Sequence, residues 1–249
     1  MRDFLDSTLW RISAYEHMRL ERSSSAFAQL GEPTLLPTTM LADLRQLESR
    51  REDGDVLEIL AACMRHRQSA LICLHYEDLA WPVTVFPSEL VYHSPRDMAL
   101  AEPDGLAALG VLSCDAPGMR PPGHWMHERV GRMEHYHPLK PLLWKLALNG
   151  PRNDLLTEIA GHAAYRVTLS REDRLLAPGA LGPAADRLRS ESASLRDIAR
   201  WPGMSTDRAC RLLNALYMTS ALMVMRSHPA ARPEGTVLSR LMGRVKPRR

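Results

Sequence analysis

Lysine is nearly absent from this chain, which carries 29 arginines but only three lysines, at positions 140, 145 and 246. The formal net charge is +3, too small to indicate a nucleic-acid-binding protein by itself. Cysteines are few as well, and the four of them form no C-x-x-C pair: Cys63, Cys73, Cys114 and Cys210. Their irregular spacing, mostly within apolar runs, indicates small buried hydrophobic side chains in a reducing compartment.

Long hydrophobic runs are also missing. The longest apolar stretch, 212–225, is interrupted by Asn214, Thr219 and Ser220, and it is too short to cross a bilayer. The first residues contain no apolar segment of the kind that a signal peptide needs. We therefore expect a cytoplasmic protein without a membrane span.

The sequence lacks the common motifs of catalytic and nucleotide-binding sites. Neither a phosphate-binding G-x-x-x-x-G-K-[ST] or G-x-G-x-x-G loop nor a G-x-S-x-G nucleophile elbow occurs. Serine and histidine adjoin at His93-Ser94 and Ser227-His228, but neighbours in sequence rarely form a nucleophile–base pair. These absences predict a protein that is not an enzyme and needs no cofactor.

The residues that are present predict an α+β fold that is mostly helical. Hydrophobic residues make up 45% of the chain and charged residues 24%, which are values of an ordinary globular protein. Apolar spacing predicts helices over 1–30, 56–66, 125–135, 139–149, 154–162 and 184–192. Alternation and turn residues predict strands over 70–75, 81–86 and 90–93, which form an antiparallel meander, with further strands over 110–114 and 165–169.

A helix-turn-helix is predicted at 194–225. Ser194 and Ser205 stand where N-caps of the two helices are expected, and Gly203 stands in the turn, where a positive φ is needed. Apolar residues then recur at helical spacing, and the stretch 221–225 predicts a strand that would complete a winged helix.

This motif leaves a DNA-binding regulator open as an alternative function. The outer face of its second helix is expected to carry Asp207, Arg208, Arg211, Asn214 and Met218. Arg208, Arg211 and Asn214 are the candidate base readers. A basic tail could contact phosphates through Arg240, Arg244, Lys246, Arg248 and Arg249.

Histidines cluster between 124 and 137. His124, His127, His135 and His137 lie close to Glu128 and Glu134, and both residue types are good zinc ligands. Their spacing matches no standard metal site, so surface and interface histidines are the favoured interpretation, and a His-liganded metal protein is a distant alternative.

Four runs between Val56 and Met98 follow one another as a helix and three strands. They are Glu58-Ile-Leu-Ala-Ala, Ser69-Ala-Leu-Ile-Cys-Leu, Val83-Thr-Val-Phe and Glu89-Leu-Val-Tyr-His-Ser. These runs resemble the PATAN domain, also called DUF4388. The resemblance implies a bacterial regulatory module of the kind found with receivers, winged helices or roadblock-type proteins in gliding, twitching and polarity systems.

We therefore predict a non-enzymatic adaptor that acts through protein–protein contacts in bacterial signalling or surface motility. Its expected parts are a helical region (1–50), a PATAN-like α/β module (51–120), a helical region with the winged helix (121–230) and a basic tail (231–249). Another protein is the expected partner, DNA is the alternative, and a homodimer fits either function.

Overall fold

A computed structural model of the chain describes residues 9–24, 36–48, 55–168 and 177–231. These residues form a mixed α+β structure in which helices predominate, as predicted, and the chain divides into two compact units, 1–152 and 153–249. Both ends of the predicted first helix and nearly all of the predicted basic tail lie outside the described residues.

The first unit contains six strands and five helices among its described residues. In chain order they are β1 (Trp10–Arg11), α1 (Ile12–Ser24), α2 (Thr38–Glu48), α3 (Val56–His66), β2 (Ala70–Tyr76), β3 (Leu79–Phe86), β4 (Val91–His93), α4 (Pro103–Ala107), β5 (Gly110–Asp115), β6 (Tyr136–Pro138) and α5 (Leu139–Asn149).

One antiparallel sheet organises this unit. Its order is β5-β2-β3-β4-β6, and β1 pairs with the opening residues of β3. Ile72 lies opposite Val83, and Val85 lies opposite Tyr92, so β2, β3 and β4 form the meander that the sequence predicts. The two-residue strand at Trp10–Arg11 was not expected, because the periodicity indicated a helix from residue 1.

The two faces of the sheet carry different neighbours. Since side chains alternate along a strand, Ile72, Val83 and Val85 share one face, and all three are buried. Cys73 and Ala80 lie on the opposite face, where Tyr15 of α1 packs against them in a small cluster with Met18, Leu71 and Leu112.

Helices α3 and α5 bury their apolar side chains as their sequences predict. Asp55 caps α3 by accepting hydrogen bonds from the amides of Leu57 and Glu58, at 3.0 and 3.2 Å. Helix α5 spans the residues predicted, and its large apolar residues are core residues, not an exposed interface: Leu139, Leu142, Leu143, Trp144 and Leu146.

The helix predicted over 125–135 is wrong. The structure has only two short 3₁₀ turns there, at His127–Arg129 and Met133–His135, with a bridge between Arg120 and Val130. Two prolines and Gly123 precede the segment and Gly131 interrupts it, so few helical backbone bonds could form.

The second unit contains a three-stranded antiparallel sheet and three helices among its described residues. In chain order they are β7 (Ala164–Val167), α6 (Leu181–Ser190), β8 (Ala193–Ser194), α7 (Leu195–Ala199), α8 (Thr206–Met218) and β9 (Leu222–Met225), and the strand order is β8-β7-β9.

Helices α7 and α8 are joined by the turn that the sequence predicts. Ser194 and Asp197 form a capping box on α7, Ser205 caps α8, and Gly203 has a φ of +73°. Strand β9, however, pairs with β7, which precedes both helices in the chain. A winged helix is therefore not confirmed, because within 177–231 no further strand follows β9 to form a wing with it.

The helix predicted over 154–162 is also wrong, because the structure has turns there and no helix. The amide of Leu156 and the carbonyl of Asp154 bond to the side chain of Asn214, at 3.0 and 2.9 Å. Arg226 donates to the carbonyls of Glu158 and Ala160, both at 2.9 Å. Tertiary partners thus take the backbone bonds that a helix would have used.

Candidate interaction surface

Residues 120–131 form a compact loop at the edge of the first unit's sheet, which we call the Trp125 loop. Its ends lie side by side, because the Arg120 amide donates to the Arg129 carbonyl at 2.9 Å and Arg120 bridges Val130. After Arg120 the chain continues through Pro121 and Pro122, and it turns at Gly123, where φ is +80°. A surface loop whose ends lie close together and whose own residues pack inside it is an Ω loop. Loops of this class are frequently functional.

Hydrogen bonds also join residues within the loop. The Met126 amide donates to His124 Nδ1 at 3.1 Å, and the Arg129 amide donates to the Met126 carbonyl at 3.1 Å. The Val130 amide donates to the His127 carbonyl at 3.0 Å. Backbone groups that have partners inside the loop favour one conformation.

Tyr136 ties this loop to the sheet. Tyr136 is the first residue of β6, which pairs with β4, and it lies opposite His93. Its hydroxyl donates to the Arg120 carbonyl at 2.6 Å and accepts from the Gly131 amide at 2.9 Å, so one atom holds both ends of the loop. A Cβ added at Gly131 would lie 2.7 Å from His93 Nε2, so a larger residue there would require the His93 ring to shift.

The loop presents a large aromatic side chain to solvent. Trp125 is 73% exposed at the middle of the loop, with its ring centroid 5.6 Å from that of His124. Met133, two residues after the loop, is 65% exposed. Their neighbours in sequence include exposed charges of both signs: Glu128, Arg129, Arg132 and Glu134. Tryptophan, methionine and arginine are the residues that protein interfaces concentrate.

The four clustered histidines do not converge. His124 accepts a bond within the loop, and His127 is exposed in the following turn. His135 lies against His93, with ring centroids 5.5 Å apart, and the His137 ring lies 5.2 Å from that of Tyr92. Within the described residues, no three His, Cys, Asp or Glu side chains are arranged to hold a metal ion. The geometry gives the metal alternative no support.

His93 beneath the loop is held neutral. Burial, and next the charges that His135 and His137 can carry, lower the pKa of His93 from 6.5 to about 4. Its ring also meets the edge of Tyr136, with centroids 4.9 Å apart. A neutral imidazole fits this site, because the neighbouring rings supply no counter-charge for a cation.

We expect the first unit to lose stability between pH 6.5 and 4 in part through His93. The unfolded chain takes up a proton near pH 6.5 and the folded chain only near pH 4, so the contribution of His93 is fully present above this window and falls with pH. Urea unfolding across this pH range should show a shallower pH dependence in His93→Gln. The exposed control His127→Gln should keep the wild-type slope, and equal slopes in all three proteins would contradict the prediction.

Removing the hydroxyl that holds the loop should loosen the loop and leave the sheet intact. Tyr136→Phe deletes two hydrogen bonds, together worth about 1–2 kcal/mol. We expect hydrogen exchange of the Gly131 amide to accelerate by roughly tenfold, while amides of β3 such as Val83 keep their wild-type rates. Unchanged exchange at Gly131 would mean that the loop is held by other contacts.

The DNA-reading face predicted for α8 is only partly present. Arg208 is exposed and donates to the Gly203 carbonyl at 2.6 Å, while Arg211 is half-buried and donates to Asn153 at 2.7 Å. Asn214 and Met218, expected on the same exposed face, are buried. The expectation that Asn214 lies on the exposed face of α8 is therefore wrong. The tail residues Arg240, Arg244, Lys246, Arg248 and Arg249 lie outside the described residues.

Sequence reasoning missed the Trp125 loop, because it placed Trp125 at the start of a helix. The signal that could have identified the loop is Pro121-Pro122-Gly123 directly before the aromatic residue, a run that disfavours helix and favours a turn. The anchoring role of Tyr136 depends on strand pairing between distant segments, and no local pattern carries it.

No helix among the described residues combines the length and hydrophobicity that a membrane crossing requires. The chain matches no protein-family model, and searches of curated proteins and of solved structures find no match either.

Proposed function

We propose that this chain is a regulatory adaptor that binds another protein through the Trp125 loop and catalyses no reaction. The observation that carries the proposal is the 73% exposure of Trp125 on a loop that is hydrogen-bonded internally and tied to the sheet. An ordered loop loses little conformational freedom on binding, so more of the energy of burying the indole contributes to affinity.

The partner should offer an apolar pocket for the indole ring, flanked by polar groups of both signs. Trp125 and Met133 supply the apolar contact, and the exposed charges of Arg129, Arg132 and Glu128 are near them in sequence. The resemblance of 56–98 to PATAN modules supports a partner in bacterial signalling or surface motility.

The proposal is tested by placing a photo-crosslinking amino acid at position 125 of the full chain. Irradiation in a lysate of the source organism should give one discrete adduct. The same amino acid at Leu100, which is 77% exposed, is the matched control and should not give that adduct. Excess wild-type protein should suppress the adduct, and excess Trp125→Ala should not.

A purified partner then permits an affinity measurement. Trp125→Ala should weaken binding by roughly 30-fold or more, because truncating an interface tryptophan costs about 2 kcal/mol or more at a binding hot spot. Leu100→Ala should leave the affinity unchanged. Identical adducts at positions 125 and 100, or equal affinities of the two alanine variants, would refute the Trp125 loop as the contact.

The DNA alternative is separated from the adaptor by fluorescence anisotropy with a random duplex of roughly 30 base pairs across a salt series. If the chain is an adaptor, we expect no duplex binding that depends on Arg208 and Arg211, so wild type and the Arg208→Glu/Arg211→Glu variant should give the same anisotropy. Micromolar binding that weakens steeply with salt and is lost in this variant would favour the DNA regulator instead.

A further inference from the structure

A pocket separate from the Trp125 loop lies between α1 and the outer face of the first unit's sheet. Its volume is about 430 Å³, within the range of small-molecule sites in proteins, about 300–1,000 Å³. Trp10, Tyr15 and Met18 form one wall, and the sheet residues Leu71, Cys73, Ala80 and Pro82 form the floor. We call this space the α1 pocket.

A chain of side-chain hydrogen bonds leads from Tyr15 to the rim of this pocket. The Tyr15 hydroxyl lies 2.7 Å from Ser113 Oγ, and Ser113 Oγ donates to Asp115 Oδ2 at 2.8 Å. Because the Ser113 proton goes to Asp115, Tyr15 is the donor in the first bond. Tyr15 and Ser113 are each only 8% exposed, whereas Asp115 lines the pocket and is exposed to solvent.

The carboxylate of Asp115 gives the pocket its charge preference. Within the described part of the chain, Asp115 forms no ion pair, and its polar contact is the bond from Ser113. An apolar pocket with one carboxylate at its rim complements an apolar molecule that ends in a cation. We propose that the α1 pocket binds a small molecule with an apolar body and one ammonium group, which pairs with Asp115.

The chain offers two variants that test the pocket without removing packing. Asp115→Asn deletes the charge and retains an oxygen that can accept from Ser113. Gly118 lies at the pocket, its φ is not positive, and an added Cβ meets no atom within 4 Å. Gly118→Leu therefore adds an obstructing side chain at no cost in backbone strain.

The measurement uses the full chain with ¹³C-methyl-labelled methionine, so that Met18 reports from the pocket wall. The probes are 4-phenylbutylamine, its alcohol analogue 4-phenylbutan-1-ol and its acid analogue 4-phenylbutanoate. The amine should shift the Met18 methyl signal saturably, and the alcohol and the acid should bind about fivefold more weakly or worse, as expected for one solvent-exposed ion pair. Asp115→Asn should weaken the amine about fivefold, and Gly118→Leu should abolish the saturable shift.

Two outcomes would overturn the inference. Equal affinity for all three probes, or an unchanged affinity of Asp115→Asn for the amine, would exclude the ammonium assignment. The absence of a saturable Met18 shift with any probe would exclude the pocket as a binding site. Trp125→Ala should bind the amine as tightly as wild type, so this experiment can fail or succeed independently of the adaptor proposal.

Discussion

Replacing Arg152 with methionine should lower the free energy of unfolding of the first unit by about 3–5 kcal/mol. Arg152 is 6% exposed, and its guanidinium pairs with two equally buried carboxylates, Asp55 and Glu58. Arg152 Nη1 lies 3.0 Å from Glu58 Oε1 and also bonds Asp55 Oδ2. Methionine keeps much of the side-chain volume but removes the guanidinium that both buried carboxylates share.

The matched control is Arg65→Met, which breaks an exposed ion pair. Arg65 lies 3.2 Å from Asp43, with side chains 43% and 33% exposed, and pairs of this kind contribute about 1 kcal/mol or less. Urea unfolding followed by tryptophan fluorescence measures both variants, because Trp81 and Trp144 are buried in the first unit. Equal losses in the two variants would contradict the prediction.

A double variant separates the charge from the packing. Glu58→Gln removes one of the two buried carboxylates that lose the Arg152 guanidinium in Arg152→Met. If buried charge causes the loss, the double variant Arg152→Met/Glu58→Gln should be more stable than Arg152→Met alone. If lost packing causes it, the second substitution should bring no recovery.

The parts of the fold that could be predicted are those that local chemistry determines. Ser194 and Ser205 were expected as N-caps because a short polar side chain before an apolar helix satisfies the first amides, and both cap helices in the structure. Gly203 was expected in a turn because few other residues tolerate positive φ, and its φ is +73°. These features depend on residues a few positions apart.

The parts that could not be predicted depend on residues far apart in the chain. Residues 154–162 have helical periodicity, yet Asn214 takes two of their backbone bonds from a position some sixty residues away. The Trp125 loop likewise depends on Tyr136, whose place is set by the pairing of β6 with β4. A hydrogen-bond partner from a distant part of the chain can outweigh the local preference for a helix. Such a partner is not visible in the local sequence pattern.

Asn214 carries the second large expected effect, and it distinguishes a structural from a DNA-reading role. The side chain is fully buried and both of its ends are bonded, Oδ1 accepting from the Leu156 amide and Nδ2 donating to the Asp154 carbonyl. Asn214→Leu has similar volume but removes the acceptor of the Leu156 amide and the donor to the Asp154 carbonyl. We expect a loss of about 2–4 kcal/mol in the stability of the second unit, together with faster hydrogen exchange of the Leu156 amide.

Asn153→Leu is the matched control, since it makes the same chemical change at an exposed asparagine that accepts one bond from Arg211. Its stability should remain within about 0.5 kcal/mol of wild type, as is usual for exposed sites. A base-reading asparagine would give the opposite pattern, in which Asn214→Leu retains wild-type stability and loses affinity for DNA. Because a fully buried side chain cannot reach a base, we expect the stability loss at Asn214 alone, and it should occur in the absence of any nucleic acid.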